Sequence, residues 1–275
     1  MSAHLNADEV RSFQENGFYT PIRVYSETET AELRREFEAV ETRFGPDRAK
    51  LHITDLHLIA DWAWDVVHDP RIVDPISDVL GSNVLLWSLN WFIKEPLDQK
   101  FVSYHQDATY WGLEPHDVVT AWVALSDASA ATGPMKFVPG SHLEEVRYHE
   151  DTFGEDNLLS RGQVINGDID EKSVVLSPLS AGEMSLHHVR LIHGSTPNQT
   201  TDRRIGMVLR YCATHVKQTK VRDTAVLVHG EDNFGHFDLL PKPETEYGEI
   251  ELSRQRDALT RMQRALHSKD YEEED

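Results

Sequence analysis

The run Val84-Leu85-Leu86-Trp87-Ser88-Leu89-Asn90-Trp91-Phe92-Ile93 is where the character of the chain changes. Branched and aromatic residues crowd it, and such side chains fit a pleated, half-buried surface. Upstream the spacing is helical. Asn6 precedes Ala7-Asp8-Glu9, with Val10 and Phe13 on one face and Gly17 placed to close the segment. Ser26 with Glu29 makes a capping box ahead of Leu33, Phe37 and Val40, and Pro70 to Leu80 ends on Gly81. Downstream the strand signature recurs in 118–125, 136–139, 173–176, 183–187 and 204–213, with Gly or Pro turns between. Short strands after a helical preface predict a mainly β protein with flanking helices, built on a double-stranded β-helix, a cupin-like jelly roll.

Working outward, one domain over 1–275 accommodates the whole chain: a helical preface (about 1–81), the jelly-roll core (about 82–215) and a C-terminal extension with a helix (about 216–275). A charged terminal helix is expected over 251–266 and a frayed acidic tail over 269–275. Residues 144–170 form a long polar stretch, the length at which loops inside compact domains serve as lids or as surface decoration.

The charge balance narrows the partners. Lys plus Arg is 27 and Asp plus Glu is 47, a net charge of −20, which repels phosphate backbones and anionic membranes. No nucleic acid and no membrane is expected as partner. Acidity serves solubility first, and attraction of a cationic substrate is the weaker reading. The single cysteine, Cys212, sits in a strand-like run and reads as a buried thiol in a reducing cytoplasm. No apolar stretch reaches the ~20 residues that span a bilayer, and the N-terminus has no signal-peptide pattern.

The chemistry concentrates at His105-Gln106-Asp107, followed far downstream by His193 and Arg204. Ligands separated by one residue share a face of a strand. A third ligand from a distant strand completes two imidazoles and a carboxylate, the set that holds non-haem Fe(II) on one face and leaves the opposite positions open. Between His193 and Arg204, Thr196-Pro197-Asn198-Gln199-Thr200-Thr201-Asp202 is turn chemistry, so a hairpin is expected, with the next strand starting near Arg204. A guanidinium there suits the far carboxylate of a dicarboxylic 2-oxo acid, with Arg203 as the competing neighbour on the opposite face.

These motifs resemble the phytanoyl-CoA dioxygenase family of Fe(II)- and 2-oxoglutarate-dependent oxygenases. The matching runs are Tyr104-His105-Gln106-Asp107, Ala121-Trp122-Val123-Ala124-Leu125, 133–142, and His193-Gly194-Ser195 with Arg204; the resemblance spans roughly 7 to 215. It implies Fe(II) held by His105, Asp107 and His193, and 2-oxoglutarate anchored by Arg204, with Gln106, Trp122 and Ser195 lining the cosubstrate site. A regular strand would turn Gln106 away from the ligand face unless a bulge intervenes. The implied reaction uses O2 to hydroxylate an unactivated C–H of a small molecule, forming succinate and CO2. Related enzymes that transfer halide replace the carboxylate ligand by a small residue, so Asp107 favours oxygen transfer.

Other positions carry plainer expectations. His142 reads as a turn histidine, and His187, placed with His188 in the strand of His193, as a buried, hydrogen-bonded histidine. Arg210, six residues beyond Arg204, should share its face and needs an internal carboxylate or an anionic substrate group. Tyr110, Trp111 and Trp91 are candidate substrate walls, although Trp87 and Trp91 also suit the core. The rival functional readings are a redox-inert Zn or Mn hydrolase or isomerase in a cupin-like barrel, and a binding module without catalysis. Neither the prime substrate nor an oligomeric state is encoded in a recognisable motif.

Overall fold

Alternation along the strand Arg204–Ala213 organises the molecule, for which a computed structural model describes residues 4–267. Ile205, Met207, Leu209 and Tyr211 point one way, into a core shared with Phe37 and Val40 of the helix Glu27–Phe44 and Ile72 and Ile76 of the helix Pro70–Leu80. Arg204, Val208 and Arg210 point the other way, into a cleft. Both faces of this strand are therefore covered, and each fully buried aliphatic contributes about 1.5–3 kcal/mol.

Seven strands form the large sheet in the order Phe18–Arg23, Glu183–His188, Val118–Ala124, Arg204–Ala213, Val84–Lys94, Thr224–His229, Asp238–Leu239. A four-stranded sheet, Val102–His105, His193–Ser195, Met135–Phe137, Val175–Ser177, packs against its cleft side. Trp122, Ala124 and Val208 of the first meet Met135 and Phe137 of the second. This is the expected two-sheet jelly roll with helices on the outer face of the large sheet.

The caps read from sequence are present. Asn6 Oδ1 accepts from the Glu9 N–H while Glu9 accepts from the Asn6 N–H, Gly17 closes that helix (Ala7–Asn16) at φ 80°, and Ser26 with Glu29 repeats the capping box. Three expectations change. The preface is not wholly helical: Phe18–Arg23 is an edge strand, a position that tolerates Pro21 because the missing N–H has no partner to lose. The sheet does not stop near 215, since Thr224–His229 of the extension pairs with Val84–Lys94 and lengthens it before the terminal helix Glu249–Leu266. The third concerns 196–202, which turns as expected but does not make a hairpin. His193–Ser195 lies in the small sheet and Arg204–Ala213 in the large one, so this segment crosses between layers. Asn198 stitches the crossing, donating to the Lys94, Glu95 and Asp202 carbonyls. Turn chemistry dictates that the chain reverses and not which sheet receives it. The expected tail over 269–275 lies outside the described residues.

Candidate metal centre and cosubstrate cleft

His105 ends its strand and is the direct register partner of His193 on the neighbouring strand. Each ring donates from Nδ1 to a carbonyl two residues back, Ser103 for His105 and Leu191 for His193, both at 2.9 Å. A carbonyl can only accept, so both Nε2 lone pairs stay free and point at Asp107. Nε2 of His105 is 3.4 Å and Nε2 of His193 is 3.9 Å from the Asp107 carboxylate, and the three ligand atoms lie within 4.8 Å of one another. Burial favours a neutral carboxyl at Asp107, but its contacts with His105 and His193 and the Arg210 charge outweigh it and hold the group well below the usual carboxylate range. Burial keeps His193 neutral. Two imidazoles and one ionised carboxylate form the donor set of Fe(II), with the Ser103 and Leu191 carbonyls fixing which ring nitrogen faces the set.

Asp107 reaches this place differently from the strand alternation expected. The strand stops at His105, and Asp107 is the helical residue (φ −58°, ψ −35°) that starts the short turn Ala108–Trp111. Gln106 bridges the two. Its Nε2 donates to the Arg190 carbonyl and its Oε1 accepts from the Arg147 N–H, so its amide joins the backbone of 144–170 to that of the ligand strands and does not line the cleft.

Arg204 is 1 % exposed and lies at the Ser195 end of the cleft. Its Nη1 donates to the Gly133 carbonyl at 2.8 Å, its guanidinium covers the Trp122 ring at 5.1 Å, and its Nε has no partner. Burial depresses it to about 9. Gly206, one strand step on, admits the Trp122 ring: a Cβ there would lie 2.0 Å from Trp122 Cζ2. Arg203 borders the same cleft but is neutralised by Glu41 at 2.8 Å and Glu95 at 2.9 Å.

One group was not foreseen from sequence. Lys94 is fully buried, is the cross-strand partner of Arg204, and donates to Ser195 Oγ at 2.6 Å and to the Thr196 carbonyl. Burial, then the charge of Arg204, lowers it to about 6. A lysine closing an apolar strand was the available signal, but its partner depends on strand register.

The remaining positions divide between cleft and frame. Tyr110 donates to Asp151 at 2.9 Å, tying the region before the cleft to the small hairpin of His149–Asp151 and Gln163–Ile165, while Leu158, Leu159 and Ser160 border the cleft. Trp111 lies beneath the Arg210 guanidinium, 4.6 Å away. Trp91 borders the cleft but stacks on Phe37 at 4.2 Å and donates to the Ile53 carbonyl, a core role. His142 faces the Gln14 carbonyl at 3.1 Å in a turn. His187 corrects two expectations: it belongs to the large sheet, not to the strand of His193, and its buried Nδ1 has no hydrogen bond. Its Nε2 is 3.9 Å from Asp107, and burial lowers its pKa to about 4. The cleft that holds these groups encloses about 1310 Å³.

Comparison with known proteins agrees with the geometry. The family described as phytanoyl-CoA dioxygenase (PhyH) matches residues 13–206. A probable alpha-ketoglutarate-dependent hypophosphite dioxygenase of Stutzerimonas stutzeri is 34 % identical over 163 residues, covering 57 % of this chain and 55 % of that protein. An ectoine dioxygenase of Bordetella parapertussis is 27 % identical over 157 residues, covering 52 % and 51 %. The chain thus spans about half the length of these curated relatives. The solved structure of an apo non-haem monooxygenase, ThoJ, superposes with a TM-score of 0.85 at 32 % identity, covering 95 % of this chain and 98 % of that one. No helix among the described residues is long and apolar enough to cross a membrane.

Proposed function

We propose, from the fact that this chain belongs to the phytanoyl-CoA dioxygenase family, that it is a non-haem Fe(II)- and 2-oxoglutarate-dependent dioxygenase hydroxylating an unactivated C–H of a small molecule, with succinate and CO2 as co-products. The observation that carries this reading is the sharing of one cleft by His105, Asp107 and His193 and by a buried Arg204 that has no carboxylate partner among the described residues. The names of the relatives, an alpha-ketoglutarate-dependent hypophosphite dioxygenase and an ectoine dioxygenase, support a small-molecule substrate.

In this reading His105 and His193 offer Nε2 and Asp107 one oxygen, and the iron, when bound, supplies the activation of dioxygen. Arg204 receives the far carboxylate of 2-oxoglutarate, Lys94 orients Ser195 beside it, and Trp122 forms the flat wall over which that carboxylate enters. Gln106 acts as a positioning residue, holding Asp107 at the foot of its helical turn through Arg190 and Arg147. Because position 107 keeps its carboxylate, no ligand place opens for halide and oxygen is the atom transferred. Residues 1–275 act as one catalytic domain in the cytoplasm, in keeping with the buried Cys212 as a free thiol.

A redox-inert metal hydrolase leaves the buried cation at Arg204 without a ligand, and a binding module leaves the metal set without use. Anaerobic addition of Fe(II) and 2-oxoglutarate separates the readings. A weak visible charge-transfer band is the expected result, and its absence overturns the oxygenase assignment.

A further inference from the structure

The register of the large sheet builds a row across four strands. His187 pairs with Thr120, Thr120 with Arg210, and Arg210 with Ser88. Three of these side chains line the cleft, namely His187, Thr120 and Arg210, and each carries a sealed polar atom with no hydrogen-bond partner: His187 Nδ1, Thr120 Oγ1 and Arg210 Nε. Buried polar groups left unpaired each destabilise a fold by roughly 1–3 kcal/mol. The side chains that carry them border one cleft, so a ligand there lies against a row of polar residues.

The sign of that ligand follows from the charges. Arg210 donates to Ser88 Oγ at 3.1 Å and lies over the Trp111 ring, contacts that leave its charge uncompensated. Its nearest carboxylates are Asp107 and Asp55, and neither forms an ion pair with it. Asp107 is committed to the metal set, and Asp55 accepts from the Leu89 N–H at 2.8 Å. Of the other charged residues that border the cleft, Glu41 and Glu95 are paired with Arg203, and Glu38, Asp98, Lys50 and Lys100 lie outside the two sheets; on the strands that line it the charged residues are Arg204 and Arg210. Arg204 and Arg210 stand six residues apart on one strand, about 20 Å along its axis. They therefore serve two different anions. Below Arg210 the walls are apolar: the Trp87 and Trp111 rings lie 5.2 Å apart, tilted by 47°, with Leu259 and Met262 of the terminal helix in the same cluster.

We infer that the prime substrate is a small carboxylic acid with an apolar body, its carboxylate held by Arg210 and Thr120 and its body against Trp111 and Met262. This rests on the oxygenase reading and assigns the end of the cleft remote from Arg204. It places the carbon to be oxidised between Arg210 and Asp107.

The test uses the full-length protein, anaerobic, with Fe(II) and saturating 2-oxoglutarate so that Arg204 is occupied. 3-Phenylpropionate and indole-3-acetate are each titrated calorimetrically against the matching carboxamide. At least one acid should bind roughly tenfold or more tighter than its amide, the size of a charge-assisted hydrogen bond. In Arg210→Met that ratio should fall to about one, and Thr120→Val, nearly isosteric and so the safer variant for folding, should reduce it. No acid preferred over its amide in the wild type, or an unchanged ratio in both variants, overturns the inference. The charge-transfer band is read in the same samples, so failure of the oxygenase reading shows as loss of that band and not as a changed ratio.

Discussion

Lys94 and Arg204 are cross-strand partners buried side by side, with no carboxylate paired to either among the described residues. Burial and their mutual repulsion disfavour two charges here, and Lys94 is lowered to about 6. An anionic ligand relieves both.

Arg204→Ala should therefore weaken 2-oxoglutarate binding by roughly a hundredfold, and Lys94→Met by roughly tenfold through loss of the Ser195 and Thr196 contacts. Arg203→Ala should leave it within about twofold, because Arg203 is paired with Glu41 and Glu95. Titration of the charge-transfer band measures all three, and a large effect at Arg203 would reverse the assignment.

Asp107→Ala removes the only carboxylate from the metal set. Succinate formation coupled to substrate should fall below detection, and Fe(II) affinity should drop by at least about tenfold. Metal analysis after gel filtration and a succinate assay read the two effects separately.

Gly206→Ala tests the cosubstrate wall without touching a polar group. The added Cβ would overlap Trp122 at 2.0 to 2.8 Å, so the indole must leave its place beneath Arg204. Overpacking of this kind costs about 1–3 kcal/mol. A lower Tm together with 2-oxoglutarate affinity reduced by about tenfold is expected; an unshifted Tm would mean that Trp122 relaxes freely.

Two buried histidines set an acid limit. Burial lowers His57 to about 3 and His187 to about 4, from an ordinary value near 6.5. Between those values the unfolded chain binds protons that the folded chain refuses, so stability is full above about pH 6.5 and declines as the pH falls toward 4. At pH 5 each contributes a loss of about 2 kcal/mol, to be read as the difference between wild type and a histidine variant and not as the net change in Tm, because burial raises Asp55 to about 7 and its protonation acts in the opposite sense. His57→Leu should flatten the profile in a melting series of the metal-free protein, whereas an identical slope would assign the decline to other groups.

Much of the site was legible because its residue types are locally marked. His105, Asp107, His193 and Arg204 stand in short motifs, and the structure brings all four to one cleft. The route of Asp107 was not legible, since leaving the strand after His105 depends on the Ala108 N–H finding the Val189 carbonyl across the fold. Nor was Gln106, whose amide is directed by backbone groups of Arg190 and Arg147, distant in sequence.

By itself the sequence determined the main helices and strands, their caps and which residues could hold a metal, because periodicity, capping and ligand chemistry act within a few residues; Phe18–Arg23 and Thr224–His229 escaped it. Tertiary structure alone decided the strand partners: Lys94 beside Arg204, His187 in line with Thr120 and Arg210, and the crossing of 196–202 between sheets. Register is chosen by burying both faces of a strand against segments far away in the chain, and that competition is settled only when the whole core forms.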